Sequence, residues 1–369
     1  MSHNRRWLAA TGAIALTLSA VGGVSAQSPS TGALPGAGIK LGFVTHVLGN
    51  PFIQQIIDGA KFAAADLGVD LQVVGPEGGS PDEQLALIQG LVSTGVQGIA
   101  TSVPGATLAD PINEIIAAGT PVVQFNLLDK GVNAPYVGER SVESGRKLGA
   151  AVIEKLGGTG ATGKVIVGNC LPGYPVLENR QKGVLEALAT APGLTMVGPF
   201  DVKTSATENY AAWEAAYTAN PDAVAAIGLC APDVTSLGQL QAANPETPFV
   251  SGGYDLTAEN LAALKAGNAY ISLGQTPFMQ GYLPIKILVD KITGATDVDL
   301  TKGGFLDSGT EIVTADSVTE PFDLPALTFA DLEAMAADPA AARAYYQPLV
   351  EGKIANWATS MEPITAEGE

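Results

Sequence analysis

The chain has few of the side chains and motifs that enzyme chemistry requires. Only two histidines occur, His3 and His46, and His3 lies in the extreme N-terminal segment. Acid–base catalysis by histidine would therefore depend on His46 alone. The first predicted strand ends at residues 43–46 with the sequence FVTH, where a dinucleotide-binding enzyme would carry G-x-G-x-x-G. A P-loop, zinc-ligand spacing and a serine elbow are also missing, so we expect no enzyme, no metal and no cofactor.

Basic residues are also scarce. The chain has 19 Lys and Arg against 37 Asp and Glu, and residues 1–26 hold two of the basic residues and none of the acidic ones. The remaining chain has 17 basic and 37 acidic residues, a net charge of −20. Such a charge excludes binding to nucleic acid or to an anionic membrane surface by general electrostatics. No stretch after residue 26 offers about 18 apolar residues without charges, so we expect no membrane span there.

Residues 1–26 have the pattern of an export signal. Arg5 and Arg6 precede an apolar stretch at 8–21, and residues 24–26 form the small-x-small cleavage site VSA. The apolar stretch is too short and wrongly flanked for a membrane span, and no cysteine near the cleavage point indicates a lipid anchor. We therefore predict a secretory signal peptide and a periplasmic or extracellular mature protein. The arginine pair also fits a twin-arginine signal, so Sec and twin-arginine export both stay open.

Two series of alternating strands and helices follow the signal. Strands are predicted near 39–44, 70–74, 97–102, 121–126 and 135–138, then near 164–169, 195–201, 223–229, 248–252 and 269–274. Helices are predicted near 51–67, 81–94 and 108–118, then near 178–190, 207–219, 233–243, 257–266 and 277–293. The strands are continuous apolar runs, as expected for strands buried on both faces. Repeated βα units predict parallel sheets with right-handed crossovers, here in two α/β domains of similar size. Ligands of such sheets bind outside the carboxyl ends of the strands.

Five segments of the chain resemble one protein family. They are GNPF at 49–52, GVQGIATSVPGATLADPINEIIAAGTPVVQFN, YVGERSVESGRKLG, GGYDLTAENLAALKAG and GQTPFMQGYLPIKIL. Residues 39–315 thereby resemble the periplasmic binding proteins of the ribose and galactose type, the solute receptors of ABC importers. The resemblance implies two Rossmann-like, doubly wound parallel-sheet lobes, joined by a three-crossing hinge, with a ligand cleft between them. The implied crossings lie near 137–138, near 275–276 and around 296–305. The implied parts are an N-terminal lobe at 39–137 plus 276–300, a C-terminal lobe at 138–275 plus 301–315, and a partly helical C-terminal extension at 316–369. Within the extension, residues 328–350 are predicted as a helix interrupted by Pro339.

The same resemblance implies a function. An extracytoplasmic solute-binding protein of this type captures a neutral sugar or polyol by lobe closure and delivers it to the ABC permease, and we expect it to act as a monomer. A secreted sensor that hands a sugar, a nucleoside or an autoinducer-like molecule to a membrane signalling receptor would use the same pocket, so that alternative stays open. Repressors of this fold carry an N-terminal DNA-binding segment, whereas this chain carries the predicted export signal.

The resemblance also assigns candidate ligand contacts in the first lobe. Phe52 matches a ring that stacks on a sugar face, where apolar C–H surface is buried without using hydroxyls; alternatively it only packs at the helix start. Asn50 matches a hydroxyl-binding position, but it also fits the N-cap of the first helix. Asn126-Leu127 stands where ribose-type members usually carry Asp-Arg, which predicts a less charged site and a different neutral sugar or polyol. His46 faces either the cleft or solvent.

Four candidates come from the second lobe. Asp255 matches the family's sugar-binding aspartate, whose carboxylate accepts charge-assisted bonds from adjacent hydroxyls; its alternative role is the cap of the helix that starts at Thr257. Gln275 matches a glutamine at a hinge, and an amide both donates to and accepts from a hydroxyl. Arg180 lies near the family's binding arginine, and the local register leaves Glu178 as an equal candidate.

The two cysteines of the chain end two strands of the second lobe. Cys170 follows its first strand and Cys230 its third. In the 2-1-3-4-5 strand order these strands are neighbours, about 4.8 Å apart. A disulfide requires Cα atoms about 4.4–6.8 Å apart, and an exported protein meets an oxidising compartment. We therefore predict a Cys170–Cys230 disulfide at the floor or rim of the cleft, with two buried free thiols as the alternative.

Overall fold

The structure is a computed structural model in which residues 33–364 are described. The predicted signal peptide at 1–26 lies outside these residues. Along the described part of the chain, strands and helices alternate through two α/β lobes, as the sequence predicts. None of the helices between residues 33 and 364 is both long enough and apolar enough to cross a membrane.

The first lobe is built on a parallel sheet. Its strands are β1 (Lys40–Val44), β2 (Asp70–Val74), β3 (Gly98–Thr101), β4 (Val122–Phe125), β5 (Tyr136–Gly138) and β11 (Phe305–Asp307). Its helices are α1 (Pro51–Leu67), α2 (Pro81–Ser93), α3 (Ala109–Ala117) and α9 (Pro277–Thr293). The strand order in the described residues is β11-β5-β4-β3-β1-β2. Every pairing is parallel.

The second lobe repeats this plan and adds an antiparallel edge. Its strands are β6 (Gly163–Asn169), β7 (Leu194–Asp201), β8 (Ala223–Gly228), β9 (Val250–Tyr254), β10 (Ile271–Leu273), β12 (Ile312–Thr314) and β13 (Val318–Thr319). Its helices are α4 (Ser141–Lys155), α5 (Pro175–Leu188), α6 (Ala206–Ala219), α7 (Ala231–Ala243) and α8 (Ala258–Lys265). The strand order is β13-β12-β10-β9-β8-β6-β7, and the 2-1-3-4-5 arrangement predicted for the second lobe is confirmed.

Helix α4 is a long element of the second lobe that the sequence prediction missed. Half of its buried residues are small, namely Ser141, Ser144, Gly145 and Gly149, so its apolar stripe is interrupted. The small residues let α4 approach α5 closely, because a Cβ on Gly145 would lie 2.1 Å from the carbonyl oxygen of Arg180. The position of α5, and with it the position of Arg180, therefore depends on this helix pair.

The third connection between the lobes lies later in the chain than expected. The prediction placed it around 296–305 and assigned 301–315 to the second lobe. Strand β11 instead pairs with β5 of the first sheet, and the following strand β12 pairs with β10 of the second. The chain therefore crosses between Asp307 and Ile312. Three-residue strands carry too little periodicity to mark such a boundary in the sequence.

The C-terminal extension is partly helical, as predicted. It contains α10 (Phe329–Ala337), α11 (Pro339–Tyr345) and α12 (Gln347–Leu349), followed by a π-helical turn at Val350–Ile354 and a 3₁₀ turn at Trp357–Thr359. The predicted interruption at Pro339 is confirmed, since Asp338 ends α10 and caps α11. The described chain closes with a bridge between Glu362 and Phe305 of β11.

Candidate functional site

Residues that directly follow strands of both sheets line one cavity of about 210 Å³ between the lobes. Seven of the eight predicted contacts line it: His46, Asn50, Phe52, Asn126, Arg180, Asp255 and Gln275. A more open groove of about 1,030 Å³ lies at the amino ends of β8 and β9. Because α/β sheets bind ligands at the carboxyl ends of their strands, we place the candidate site in the smaller cavity.

Asn50 is fixed by its role at the start of α1. Its Oδ1 accepts hydrogen bonds from the backbone N–H of Phe52 at 2.9 Å and of Ile53 at 3.3 Å. Asn50 is therefore the N-cap, while its position on the cavity wall leaves its amide Nδ2 as the group to meet a ligand. Phe52 lines the cavity but packs mostly into the first-lobe core, with 6% of its surface exposed. Contact of either residue with a ligand stays a prediction.

Asn126 is held in an unusual backbone conformation at the end of β4. Its φ of 59° lies in the left-handed region, which asparagine tolerates better than most residues. The Asn126 Nδ2 donates to Gln280 Oε1 at 3.2 Å, and Tyr136 Oη donates to the Asn126 carbonyl at 2.8 Å. Gln280 in turn donates to the Gln275 carbonyl at 2.8 Å. The amide therefore connects the first-lobe wall to the second hinge crossing.

His46 brings a neutral polar ring to the cavity. Its Nδ1 lies 3.2 Å from Ser102 Oγ. Burial lowers the pKa of His46 to about 4, because the charged imidazolium would lose its hydration. At neutral pH the ring can exchange hydrogen bonds with a ligand without adding charge. Of the two predicted orientations, the structure has the one that faces the cleft.

Asp255 is presented by a fixed main chain after β9. Its backbone N–H donates to the Leu273 carbonyl at 2.7 Å, and its carbonyl accepts from Ser272 Oγ at 2.8 Å. The helix cap that was the alternative role belongs to Thr257, whose Oγ1 accepts from the Asn260 N–H at 3.2 Å. The Asp255 carboxylate therefore does not cap α8.

The surroundings of the Asp255 carboxylate raise its proton affinity. Gln275 Nε2 donates to Asp255 Oδ1 at 2.6 Å. Burial raises the pKa of Asp255 to about 7, although the charge of Arg180 and the bond from Gln275 act in the opposite direction. Hydrogen bonds from a ligand to a buried carboxylate of this kind are stronger than the same bonds would be in water.

Arg180 points at the cavity from α5 and is held on three sides. Its Nε donates to Glu139 Oε1 at 2.5 Å, and its Nη1 donates to the Leu229 carbonyl at 2.8 Å. Its guanidinium lies 3.8 Å from the ring centroid of Tyr254, within the range of a cation–π contact. Arg180 and Glu139 are almost fully buried, with 4% and 1% exposure of their side chains. The ion pair sets the orientation of the guanidinium.

Sequence reasoning missed Glu139 and Tyr174. Glu139 directly follows β5, where the first crossing begins, and only the charge in the segment YVGER could have drawn attention to it. Tyr174, the N-cap residue of α5, adds a second aromatic wall to the cavity. Glu178 does not line the cavity. It accepts from the Gly173 N–H at 2.8 Å and from Asn169 Nδ2 at 3.1 Å, which fixes the loop that carries Tyr174.

The predicted disulfide is present between Cys170 and Cys230, with Cα atoms 6.2 Å apart. Both cysteines line the cavity, at the ends of the neighbouring strands β6 and β8. The disulfide therefore connects the Tyr174 loop to the start of α7 on the cleft side of the second lobe.

Replacing both cysteines with serine should destabilise the protein. The disulfide closes a loop of 60 residues, and in the chain-entropy model its loss lowers the free energy of unfolding by about 4 kcal/mol. Guanidinium unfolding of the Cys170→Ser/Cys230→Ser variant against oxidised wild type measures the difference. Reduced wild type is the control, and it should match the variant. Equal stability of all three would contradict the predicted contribution.

Comparison with known proteins decides the family. A family model described as the periplasmic binding protein domain matches residues 41–296, more than half of the chain. The chain belongs to the periplasmic binding protein family. A xylose/arabinose-binding protein, XylF, of Sulfolobus acidocaldarius is 22% identical over 268 residues, which is 66% of this chain and 64% of that relative. The match thus covers less than two thirds of the relative. The matched proteins are binding proteins rather than enzymes.

Solved structures of similar fold agree with this assignment. A glucose-galactose binding protein from Geobacillus stearothermophilus is 23% identical with a TM-score of 0.68, and the match covers 75% of this chain and 98% of that one. An ABC transporter solute-binding protein from Burkholderia graminis in complex with D-arabinose is 23% identical with a TM-score of 0.70, covering 76% and 96% of the two chains. At these identities the likeness establishes the two-lobed periplasmic binding protein fold.

Proposed function

We propose that this periplasmic binding protein captures a neutral monosaccharide or polyol between its lobes and delivers it to an ABC importer. The observation that carries the proposal is the cavity of about 210 Å³, which both lobes line with polar groups and an aromatic ring each. Pockets for drug-sized ligands measure roughly 300–1,000 Å³. The smaller volume suits a single sugar ring or an acyclic polyol.

The charges around the cavity favour a neutral ligand. Arg180 is already paired with Glu139, His46 is uncharged at neutral pH, and Asp255 adds an acceptor. An anionic ligand would find no uncompensated cation, whereas hydroxyl groups can donate to Asp255 and exchange hydrogen bonds with the amides of Asn126 and Gln275. The binding of arabinose, glucose and galactose by proteins of similar fold supports the same class of ligand.

The polar and aromatic side chains that line the cavity can together provide a micromolar affinity. A micromolar dissociation constant corresponds to about 8 kcal/mol. Charge-assisted hydrogen bonds contribute roughly 1.5–3 kcal/mol each, and stacking on Phe52 or Tyr174 adds to this after the ordering costs of binding are met. Closure of the two lobes places the groups of both walls around one solute, and the closed form is what the permease would recognise. The predicted signal peptide at 1–26 supplies the export that this role requires.

A thermal-shift screen of the protein without residues 1–26 tests the ligand class. The panel contains pentoses, hexoses, tetritols, pentitols, hexitols, nucleosides and amino acids. A ligand present at 100 times its dissociation constant stabilises the folded state by about 2.7 kcal/mol, so a true ligand gives a measurable shift. A shift with one sugar or polyol supports the proposal. Shifts confined to nucleosides or amino acids, or none at all, would overturn the ligand class.

Transport needs its own measurement. Uptake of the identified solute, labelled isotopically, is compared between cells that express the chain and cells that lack it. Loss of uptake at low solute concentration supports delivery to an importer. Unchanged uptake together with a lost transcriptional response would favour the secreted sensor instead.

A further inference from the structure

The C-terminal extension is anchored first on the second lobe. Strand β13 pairs with β12 at the edge of the second sheet. Helix α10 then packs next to α8, where Leu332 is buried with 3% exposure in a cluster that contains Leu261 and Leu264. Lys265 of α8 and Glu333 of α10 form an ion pair at 2.7 Å. The first half of the extension is thus anchored on the second lobe through β13 and α10, while Phe322, Leu324 and Met335 also pack against the first-lobe core cluster.

The following half is anchored on the first lobe. Arg343 of α11 pairs with Asp66 of α1 at 2.5 Å. The Tyr346 ring stacks on Phe278 of α9 with centroids 5.0 Å apart. Further on, Trp357 is buried among first-lobe core residues, and its Nε1 donates to Asp290 of α9 at 2.8 Å. These contacts include buried aromatic surface, so they are stronger than exposed ion pairs alone.

The chain therefore crosses between the lobes a fourth time, at Asp338 and Pro339. The Asp338 Oδ1 accepts from the Ala340 N–H at 2.9 Å and starts α11 in a new direction. A cavity of about 350 Å³ lies next to this crossing, lined by α1, the 256–259 segment, α10 and α11. The two anchored halves are thus joined by a short link beside this cavity.

The extension also bonds into the hinge. Glu311, in the third crossing, accepts from the Thr276 N–H and from Thr276 Oγ1, both at 2.9 Å. Tyr346 of the extension donates its hydroxyl to Glu311 at 3.2 Å. Thr276, in the second crossing, has a φ of 45°, an outlying conformation for a β-branched residue that needs such support. Movement at two of the hinge crossings is therefore linked to the extension.

We propose that the C-terminal extension acts as a fourth crossing that restrains the ligand-free lobes near the arrangement seen here. The family match ends at residue 296, and a quarter of this chain lies outside its alignment with the glucose-galactose binding protein. Lobes joined by three crossings can open until the hinge limits them, whereas the extension adds a contact to each lobe that opening must break. A protein held closer to its binding arrangement has a larger competent fraction, and its apparent affinity rises with that fraction.

Two leucine variants test the restraint. Leu332→Ala removes buried apolar surface from the second-lobe anchor of the extension, while Leu240→Ala removes it from α7 inside the second lobe, where exposure is 2%. Spin labels on cysteines introduced at Glu77 and Ser205, two exposed positions next to opposite cavity walls, report the separation across the cleft by pulsed electron resonance. The measurement is made without ligand, so it does not depend on the proposed sugar.

The expected result is a longer and broader distance distribution in Leu332→Ala and an unchanged one in Leu240→Ala. Arg343→Ala, which releases the first-lobe anchor instead, should shift the distribution in the same direction, and the double variant Leu332→Ala/Arg343→Ala further still. Circular dichroism identifies any variant that does not fold. The distance distributions of the folded variants then show whether the extension restrains the lobes. A wild-type distribution in folded Leu332→Ala and Arg343→Ala proteins would overturn the proposal, as would an equal shift in Leu240→Ala.

Discussion

Asp255→Ala should weaken binding of the identified solute at least about tenfold, because charge-assisted bonds to a carboxylate contribute roughly 1.5–3 kcal/mol each. The side chain lies at the cavity with 4% exposure, and its main chain is held independently by Leu273 and Ser272. The φ of Asp255 is 73°, so alanine also adds backbone strain. Asp255→Asn is the matched control, because asparagine tolerates this conformation and removes only the charge.

Calorimetric titration of the three proteins separates these effects. Asp255→Asn should bind between wild type and Asp255→Ala, since the amide keeps one acceptor oxygen without charge assistance. Circular dichroism should show the same fold in all three. Wild-type affinity in Asp255→Ala would remove the residue from the site.

The affinity should also depend on pH through Asp255. Burial raises the pKa of this carboxyl to about 7 in the free protein, and hydroxyl donors from a ligand favour the ionised form. Protonation therefore competes with binding, so affinity should fall as the pH decreases below about 7. The charges of Arg180, Glu139 and Asp233 act on the carboxyl, and Gln275 donates a hydrogen bond to it. The Asp255→Asn variant should lose most of this dependence; a parallel profile in the variant would assign it to another group.

Much of the fold could be predicted because strands buried on both faces appear in the sequence as short apolar runs. The segments VVQF and KVIVGN are rich in β-branched and other apolar residues, and they form β4 and β6 close to their expected bounds. The order of the strands then placed Cys170 and Cys230 next to each other, so the disulfide followed from the topology. Asp255 and Asn126 were proposed from the family resemblance, and the structure places each of them directly after a strand and on the cavity wall.

Features that depend on contacts between distant segments could not be predicted in this way. Arg180 and Glu139 are 41 residues apart, and α4, which follows Glu139 and packs on α5, buries as many small residues as apolar ones. Strand β11 is three residues long, and only its pairing with β5 shows that it belongs to the first sheet. The helices of the extension could be predicted around Pro339, but their places on the two lobes depend on Leu332, Tyr346 and other tertiary contacts.

Glu139→Ala is the substitution with the largest expected effect on stability. It leaves the Arg180 guanidinium buried without its carboxylate partner, which costs about 3–5 kcal/mol when one member of a buried pair is removed. Urea unfolding measures the loss. The exposed pair Arg146–Glu186 provides the control, and Glu186→Ala should change the free energy of unfolding little, because exposed ion pairs contribute little.

A second substitution distinguishes loss of the pair from loss of packing. In Glu139→Ala/Arg180→Met both members of the ion pair are removed, so the double variant should recover much of the stability that Glu139→Ala loses, since apolar replacements of buried pairs are often neutral. It should nevertheless bind solute poorly, because Arg180 faces the cavity. Stability that recovers while binding does not would mean that the cost of Glu139→Ala comes from the unpaired guanidinium and that solute binding requires Arg180 itself. A double variant as unstable as Glu139→Ala would instead assign the cost to a cavity at the first crossing.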